Sequence, residues 1–327
     1  MNQQLPPNQP YPPYYPQPPV AENDEIDLRE LFFALWKGKW VIILFTVSFA
    51  GGGVFYALSQ PNTYKATAVL ASTSDSGKGG MAAMAAQFGG LASLAGLNLG
   101  GAGTDNKAMA LAVLQSRQFI NSFIHKHDLL VPLMASTNWN KSSGELELDA
   151  ELYDAATQQW IREVAVGKSA IPTDWEAHKA FKAILSSSED KISGLVSLSI
   201  THYSPIVAQQ WVDWLVLDLN AWMKEKSLSE TKRNIGYLEQ QLDKTNIADM
   251  RTVFFQLIEE QTKNLMLAEV ETEFAFKTID PAVVPEEKAG PKRALICVLA
   301  TLLGGTMGIF LVLVFYFIKG SRTRVAS

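Results

Sequence analysis

Two uncharged runs, one towards each end of the chain, constrain the fold more than any other feature. Residues 40–59 (WVIILFTVSFAGGGVFYALS) and 294–318 (ALICVLATLLGGTMGIFLVLVFYFI) contain no Asp, Glu, Lys or Arg. As a helix rising about 1.5 Å per residue, the second would cover roughly 37 Å, enough to cross a hydrocarbon core of roughly 30 Å with some tilt. The first is close to the minimum spanning length, and a cleaved secretory signal competes for it. The long segment ahead of it is unlike a short basic n-region, however, and it lacks a convincing small-residue cleavage site. Both runs therefore read as retained transmembrane helices, with the two termini on one side and residues 60–293 on the other.

Orientation follows from the basic residues of the short flanks. Arg29, Lys37 and Lys39 precede the first run, and Lys319, Arg322 and Arg324 follow the second. Lys288, Lys292 and Arg293 lie on the opposite side, but a long loop translocates largely regardless of its charge, so the tails decide. The expectation is a cytoplasmic tail at 1–23, an interfacial helix at 24–39, a large periplasmic domain at 60–293 and a short cytoplasmic tail at 319–327. Residues 5–19 hold eight of the fifteen prolines. Such a tract cannot bury a core and samples polyproline II, which suits a disordered tail or a ligand for an aromatic groove. Leu28, Leu31, Phe32 and Leu35 recur at helical spacing ahead of Trp36, Lys37, Lys39 and Trp40, the signature of an interfacial helix entering a span.

The domain between the spans reads as α+β. Tyr64–Ser72 is rich in β-formers, and Val196, Leu198 and Ile200 alternate with polar residues as in a half-buried strand. Between Gly77 and Gly103 the chain is glycine- and alanine-rich, which predicts a loop. A helix is expected from Asn106 to His127, capped by Thr104 or Asp105, with Met109, Val113, Phe119, Ile120, Phe123 and Ile124 buried. Further helices are expected at 150–164 and 174–185, the latter opened by the capping-box spacing of Thr173 and Glu176. Ser204 and Pro205 supply an N-cap and a first-turn proline. The helix they start meets no breaker until about Lys244, roughly 58 Å, too long for burial in a compact domain. Val207, Trp214, Ala221, Leu228, Ile235 and Leu242 fall seven apart along it, a candidate seam for another helix or subunit. Asn246 is placed to cap a second long helix, 246–276. Beyond it DPAVVPEEKAGP, residues 280–291, forms a stiff extended connector, because proline removes donors and disfavours helix in the residue before it.

Few residues suggest chemistry. Gly167-Lys168-Ser169 matches the end of a P-loop, but Arg162 stands where its first glycine belongs, and the glycine-rich segment lacks polar partners for a phosphate. His125, His127, His178 and His202 have no metal-ligand spacing, no Gly-x-Ser-x-Gly elbow occurs, and the carboxylates read as solvated helix faces. Cys297, the one cysteine, lies in the second span, so the domain can hold no disulfide. A net charge of −5 without a basic stripe argues against nucleic acid as a partner. No cofactor, metal or catalytic residue is expected. The most legible pattern is Ala300, Gly304 and Gly308, a small-xxx-small stripe that lets helices approach closely, matched in the first span by Ser48, Gly52, Gly53 and Ala57.

Taken together, IDLRELFFALWKGKW, PNTYKATAVL, GGLASLAGLNLGG and IDPAVVPEEKAGPKRALI resemble the Wzz-type chain-length determinants, the polysaccharide co-polymerases of bacterial inner membranes. Pro281, Pro285, Pro291, Lys292 and Arg293, leading into Gly304 and Gly308, carry the most specific part of the likeness. The resemblance implies a periplasmic α/β domain beside the membrane, a long projecting helix and a ring-like homo-oligomer. It also implies a non-catalytic role, with an O-antigen-type polymerase as partner and a nascent lipid-linked glycan as a further one, in setting polysaccharide length. The alternative is the membrane adaptor of a capsule or exopolysaccharide tyrosine-kinase system. Fused kinases of that kind carry a P-loop domain after the second span, where here nine residues follow. A two-span sensor would need an output domain in the same place.

Overall fold

The computed structural model describes residues 28–73 and 102–324. The proline-rich tail, and the glycine-rich segment up to residue 101, lie outside the described residues. The chain divides into two units: residues 57–293, and the terminal segments up to 56 and from 294.

In chain order the helices α1 (Leu28–Lys37) and α2 (Lys39–Ser59) are followed by strand β1 (Tyr64–Ser72). Then come α3 (Ala102–Leu114), α4 (Arg117–Lys126), α5 (Leu130–Met134), β2 (Ser136–Trp139), β3 (Leu146–Leu148), β4 (Tyr153–Asp154) and β5 (Gln159–Trp160). The second half holds α6 (Asp174–Ile184), β6 (Leu185–Glu189), β7 (Val196–His202), α7 (Pro205–Lys244), α8 (Ala248–Val270), β8 (Phe276–Asp280) and α9 (Arg293–Arg324). The fold is α+β with one long helix and two apolar helices near the termini. Lys39–Ser59 and Arg293–Tyr316 are long and apolar enough to cross a membrane.

The centre of the larger unit is an antiparallel sheet in the order β6-β7-β1-β8. Its register sets Ala66 opposite Ile200, Ala68 opposite Leu198 and Leu70 opposite Val196. All six are buried, and their period of two turns one face of the sheet onto Ala208, Trp211, Val212, Leu215 and Leu219 of α7. Phe119, Ile120, Phe123 and Ile124 of α4 and Phe181 of α6 complete this core. Alanine at 66 and 68 gives the bulky residues of α7 room to seat on the sheet.

Local chemistry fixes the helix starts. Thr173 and Glu176 form a reciprocal capping box on α6, and Ser204 accepts from the Val207 amide ahead of Pro205 in the first turn of α7. Buried His202 ties the end of β7 down: its Nε2 donates to the Pro132 carbonyl (3.0 Å) and its Nδ1 accepts from the Ser204 amide (3.1 Å). That bonding selects the neutral ring, and burial lowers its pKa against the opposing pull of the two backbone bonds.

Four expectations are corrected. The helix foreseen at 106–127 is two helices, because Ser116 turns extended and caps α4 through the Phe119 amide. The first of the two already begins at Ala102, so Thr104 and Asp105 lie inside it, and Met109 is 37% exposed. Residues 150–164 form no helix: Asp149 and Asp154 bind amides two residues on, and the chain folds into the β4–β5 hairpin with Tyr153 against Trp160. The second long helix starts after Ile247 without a side-chain cap, so Asn246 does not cap it, and it stops at Val270. Phe276 instead opens a strand paired with β1.

Candidate functional site

The connector and the helix it enters are fixed from both sides. At its start, Asn220, 3% exposed in the middle of α7, accepts from the Ala275 and Phe276 amides (2.8 and 2.9 Å) and donates to the Phe276 carbonyl (2.9 Å). One side chain thus satisfies three backbone groups where the chain enters β8. One turn and more upstream on α7, Asp213 takes the amide of Ala282, and Gln209 donates to both Asp213 and the Ala282 carbonyl. Partial burial pushes the Asp213 carboxyl up, and its bond to the Ala282 amide opposes the shift. Pro281 is exposed and Pro285 half-buried on either side of this buried alanine.

At the connector's far end Thr63 and Gly290 form a bridge, with the Thr63 amide donating to Gly290 O (3.0 Å) and the Ala289 amide to Thr63 O (2.8 Å). A Cβ at Gly290 would stand 2.9 Å from Thr63 Oγ1, so the close approach favours glycine. Pro291 follows, half-buried, and Lys292 is exposed. Arg293 turns its guanidinium to the carbonyls of Ala57 (3.0 Å) and Gln60 (3.2 Å), where α2 ends. A helix leaves its last four carbonyls without intrahelical donors, and its C-terminus favours a cation. Arg293 therefore ties the end of α2 to the start of α9.

Within the terminal unit α2 and α9 pack along the small-residue stripe. A Cβ on Gly304 would lie 2.7 Å from Phe49 Cβ and 3.1 Å from Thr46 Cα, and one on Gly308 would lie 2.9 Å from Ile42 Cα. Ala300 fills the space at Gly53, whose own Cβ would come within 2.5 Å of it. Gly52 faces open space, so Gly53 is the contact residue of the pair. Sequence reasoning missed Gly38: it separates α1 from α2, and a Cβ there would overlap the Val312 side chain at 2.5 Å. The four-residue spacing of Ala300, Gly304, Gly308 and Val312 was the available signal, since it points back to Gly38 once the helices are paired.

Along α7 the heptad residues lie beside the most buried stripe. Val207 and Trp214 pack against the core edge, Trp214 stacking on His127 at 4.4 Å, while Leu228, Ile235 and Leu242 are half-buried and Ala221 is exposed. Buried positions are frequent from Pro205 to Met223, among them Ala208, Trp211, Val212, Leu215 and Leu219, and beyond Met223 there is only Leu238. Beyond Met223 the helix has α8 alongside. Lys224 closes that hairpin by donating to the Glu269 and Glu271 carbonyls (2.7 and 2.9 Å) at the end of α8. No residue of α8 is buried, and Phe255, Met266, Leu267 and Val270 are each more than half exposed.

Nothing in these arrangements presents a nucleophile with a base. Among the described residues, no group of three or more His, Cys, Asp or Glu side chains is placed to hold a metal ion. His125 and His127 pair instead with Asp174 and Asp218, each at 2.8 Å. The hydrogen bonds hold the connector to α7 within the larger unit, and the close contacts seat α2 against α9 within the terminal unit.

Comparison with known proteins adds two partial family matches. The chain matches no curated protein sequence. Among solved structures it is similar to a full-length bacterial polysaccharide co-polymerase, at 14% identity and TM-score 0.38, covering 90% of this chain and 99% of that one. It is also similar to a fragment of the WzzB polysaccharide co-polymerase of Salmonella Typhimurium, at 10% identity and TM-score 0.32, covering 70% of this chain and 100% of the fragment. Residues 241–316 match the family profile "G-rich domain on putative tyrosine kinase". Residues 24–127, from just ahead of α1 through β1 to the end of α4, match the profile "Chain length determinant protein" of the Wzz family, about a third of the chain.

Proposed function

We propose that this chain is a non-catalytic co-polymerase of the bacterial inner membrane that sets the modal length of an O-antigen-type surface polysaccharide. It does so together with a membrane polymerase, with both termini cytoplasmic and residues 60–293 periplasmic. The observation that carries the reading is the family match over residues 24–127. It is supported by a unit built for rigidity: Arg293 joins the ends of the two spans, and Gly304 and Gly308 seat one span against the other. The apolar outer face of α8, bearing Phe255, Met266, Leu267 and Val270, suits contact between copies of the chain in a homo-oligomer.

The match of residues 241–316 favours a second reading, an adaptor for a tyrosine kinase in capsule or exopolysaccharide export. Purification of tagged full-length chain from native membranes, with mass spectrometry of what accompanies it, separates the two. The first reading expects further copies of the chain and an integral membrane polymerase. Recovery of a tyrosine kinase without a polymerase would replace it with the second.

A further inference from the structure

The larger unit displays one tryptophan to solvent. Trp175, in the first turn of α6, is 60% exposed, the highest value for any described Phe, Tyr or Trp between residues 57 and 293. An indole left in water forgoes one of the largest burial gains open to a side chain, and exposed aromatics of this kind mark binding surfaces. The ring is also held. Lys179, one turn on, places its ammonium 5.6 Å from the ring centroid. Arg162 straps the preceding loop to the same helix end: its guanidinium takes the Glu176 carboxylate with both terminal nitrogens (3.1 and 2.9 Å), and its Nε donates to the Ala170 carbonyl (2.6 Å). Ile171, 57% exposed, lies in that strapped loop. Further hydrogen-bonding groups stand at the same helix end: Asp174, next in sequence, is paired with His125 at 2.8 Å, and each is more than 60% exposed.

We infer that Trp175 is a stacking platform for a pyranose unit of the glycan, with Asp174, His125 and Lys179 meeting its hydroxyls. A sugar ring has an apolar C–H face and a girdle of groups that both donate and accept. The site has the complementary form: a flat apolar ring, a carboxylate that accepts, an ammonium that donates and an imidazole that does either. A carboxylate and an ammonium of opposite sign leave no net charge to recruit, which fits a hydroxyl-rich polymer better than an anionic surface or a basic peptide. The inference deepens the chain-length reading and rests on it, because it makes the protein touch the polymer rather than act on the polymerase alone.

The test uses full-length protein in lipid nanodiscs and, as probe, the delipidated surface polysaccharide purified from the cells that carry the gene. Affinity is measured by thermophoresis for wild type, Trp175→Ala, Trp175→Phe and, as a control aromatic 59% exposed on α7, Tyr237→Ala. The expected result is binding weakened about tenfold by Trp175→Ala, less by Trp175→Phe, and not at all by Tyr237→Ala. Equal binding by Trp175→Ala, or no binding by wild type, overturns the platform. A change in oligomer mass with Trp175→Ala while binding is unchanged also overturns it, assigning the ring to a protein contact. Failure of the wider reading is seen separately, as a polysaccharide length distribution that deletion of the gene leaves unaltered.

Discussion

Replacing Gly304 and Gly308 together by leucine should force the two spans apart, and the distances set the scale. Carbon atoms in ordinary contact stand about 3.5–4.0 Å apart. A Cβ at 304 would begin 2.7 Å from Phe49 Cβ and 3.0 Å from the Phe45 carbonyl oxygen, and one at 308 would begin 2.9 Å from Ile42 Cα. Several of these neighbours are backbone, which cannot rotate aside, so the helices must separate by about 1 Å before the rest of either leucine is placed. Overpacking of this kind costs about 1–3 kcal/mol. The two sites share one displacement, so their costs should not add. Since about 1.4 kcal/mol is a factor of ten, the packed arrangement should lose roughly tenfold or more in population. A reporter disulfide reads this directly: a Cβ on Gly305 would lie 3.7 Å from Thr46 Oγ1, so Thr46→Cys with Gly305→Cys, in a Cys297→Ser background, should cross-link on mild oxidation. The double leucine variant should cross-link roughly tenfold more slowly and give a broadened glycan ladder. Cross-linking at the unmodified rate would refute the packing argument, and a normal ladder with the spans separated would refute its bearing on length.

Asn220→Leu should destabilise the larger unit by about 3 kcal/mol or more, because two amides and a carbonyl lose their partner at about 1–3 kcal/mol each; thermal unfolding of the detergent-solubilised chain measures it. His202, neutral and below its ordinary pKa when folded, adds stability that is fully present above about pH 6.5 and is lost as the pH falls towards its lowered folded value. That acid sensitivity should shrink in His202→Phe, read from melting temperatures between pH 7 and 5. Glu176 titrates at about 2, held down first by Arg162 and then by the Thr173 amide. Its contribution is present above its ordinary range near 4.5 and is lost as pH falls from there towards 2, so Arg162→Met should raise the Glu176 pKa measured by NMR.

Much of this architecture is legible from local rules. β1 and β7 show in the sequence because they alternate or concentrate β-formers, and α6 and α7 because Thr173, Glu176, Ser204 and Pro205 carry their start signals within four residues. The failures share a cause. Helix propensity over 106–127 and 150–164 was outweighed by one serine cap and by aspartates binding the nearby backbone, and Phe276 was drawn into a strand by a partner, β1, some two hundred residues away. The glycines of the second span could be read as a packing stripe, but which faces they meet could not, because pairing is a property of two helices. Arg293 reads as a flanking charge; its bonds to the carbonyls of Ala57 and Gln60 depend on where a helix distant in sequence ends. Trp175 carries no motif at all, and only its exposure in the folded chain sets it apart.

The most direct test of the central claim is the length distribution of surface polysaccharide, resolved as a gel ladder, from cells with the gene, without it, and with it restored. Chain-length control predicts a modal band that collapses to short, random lengths on deletion and returns with the wild-type chain. A ladder that keeps its modal length without the gene would contradict it.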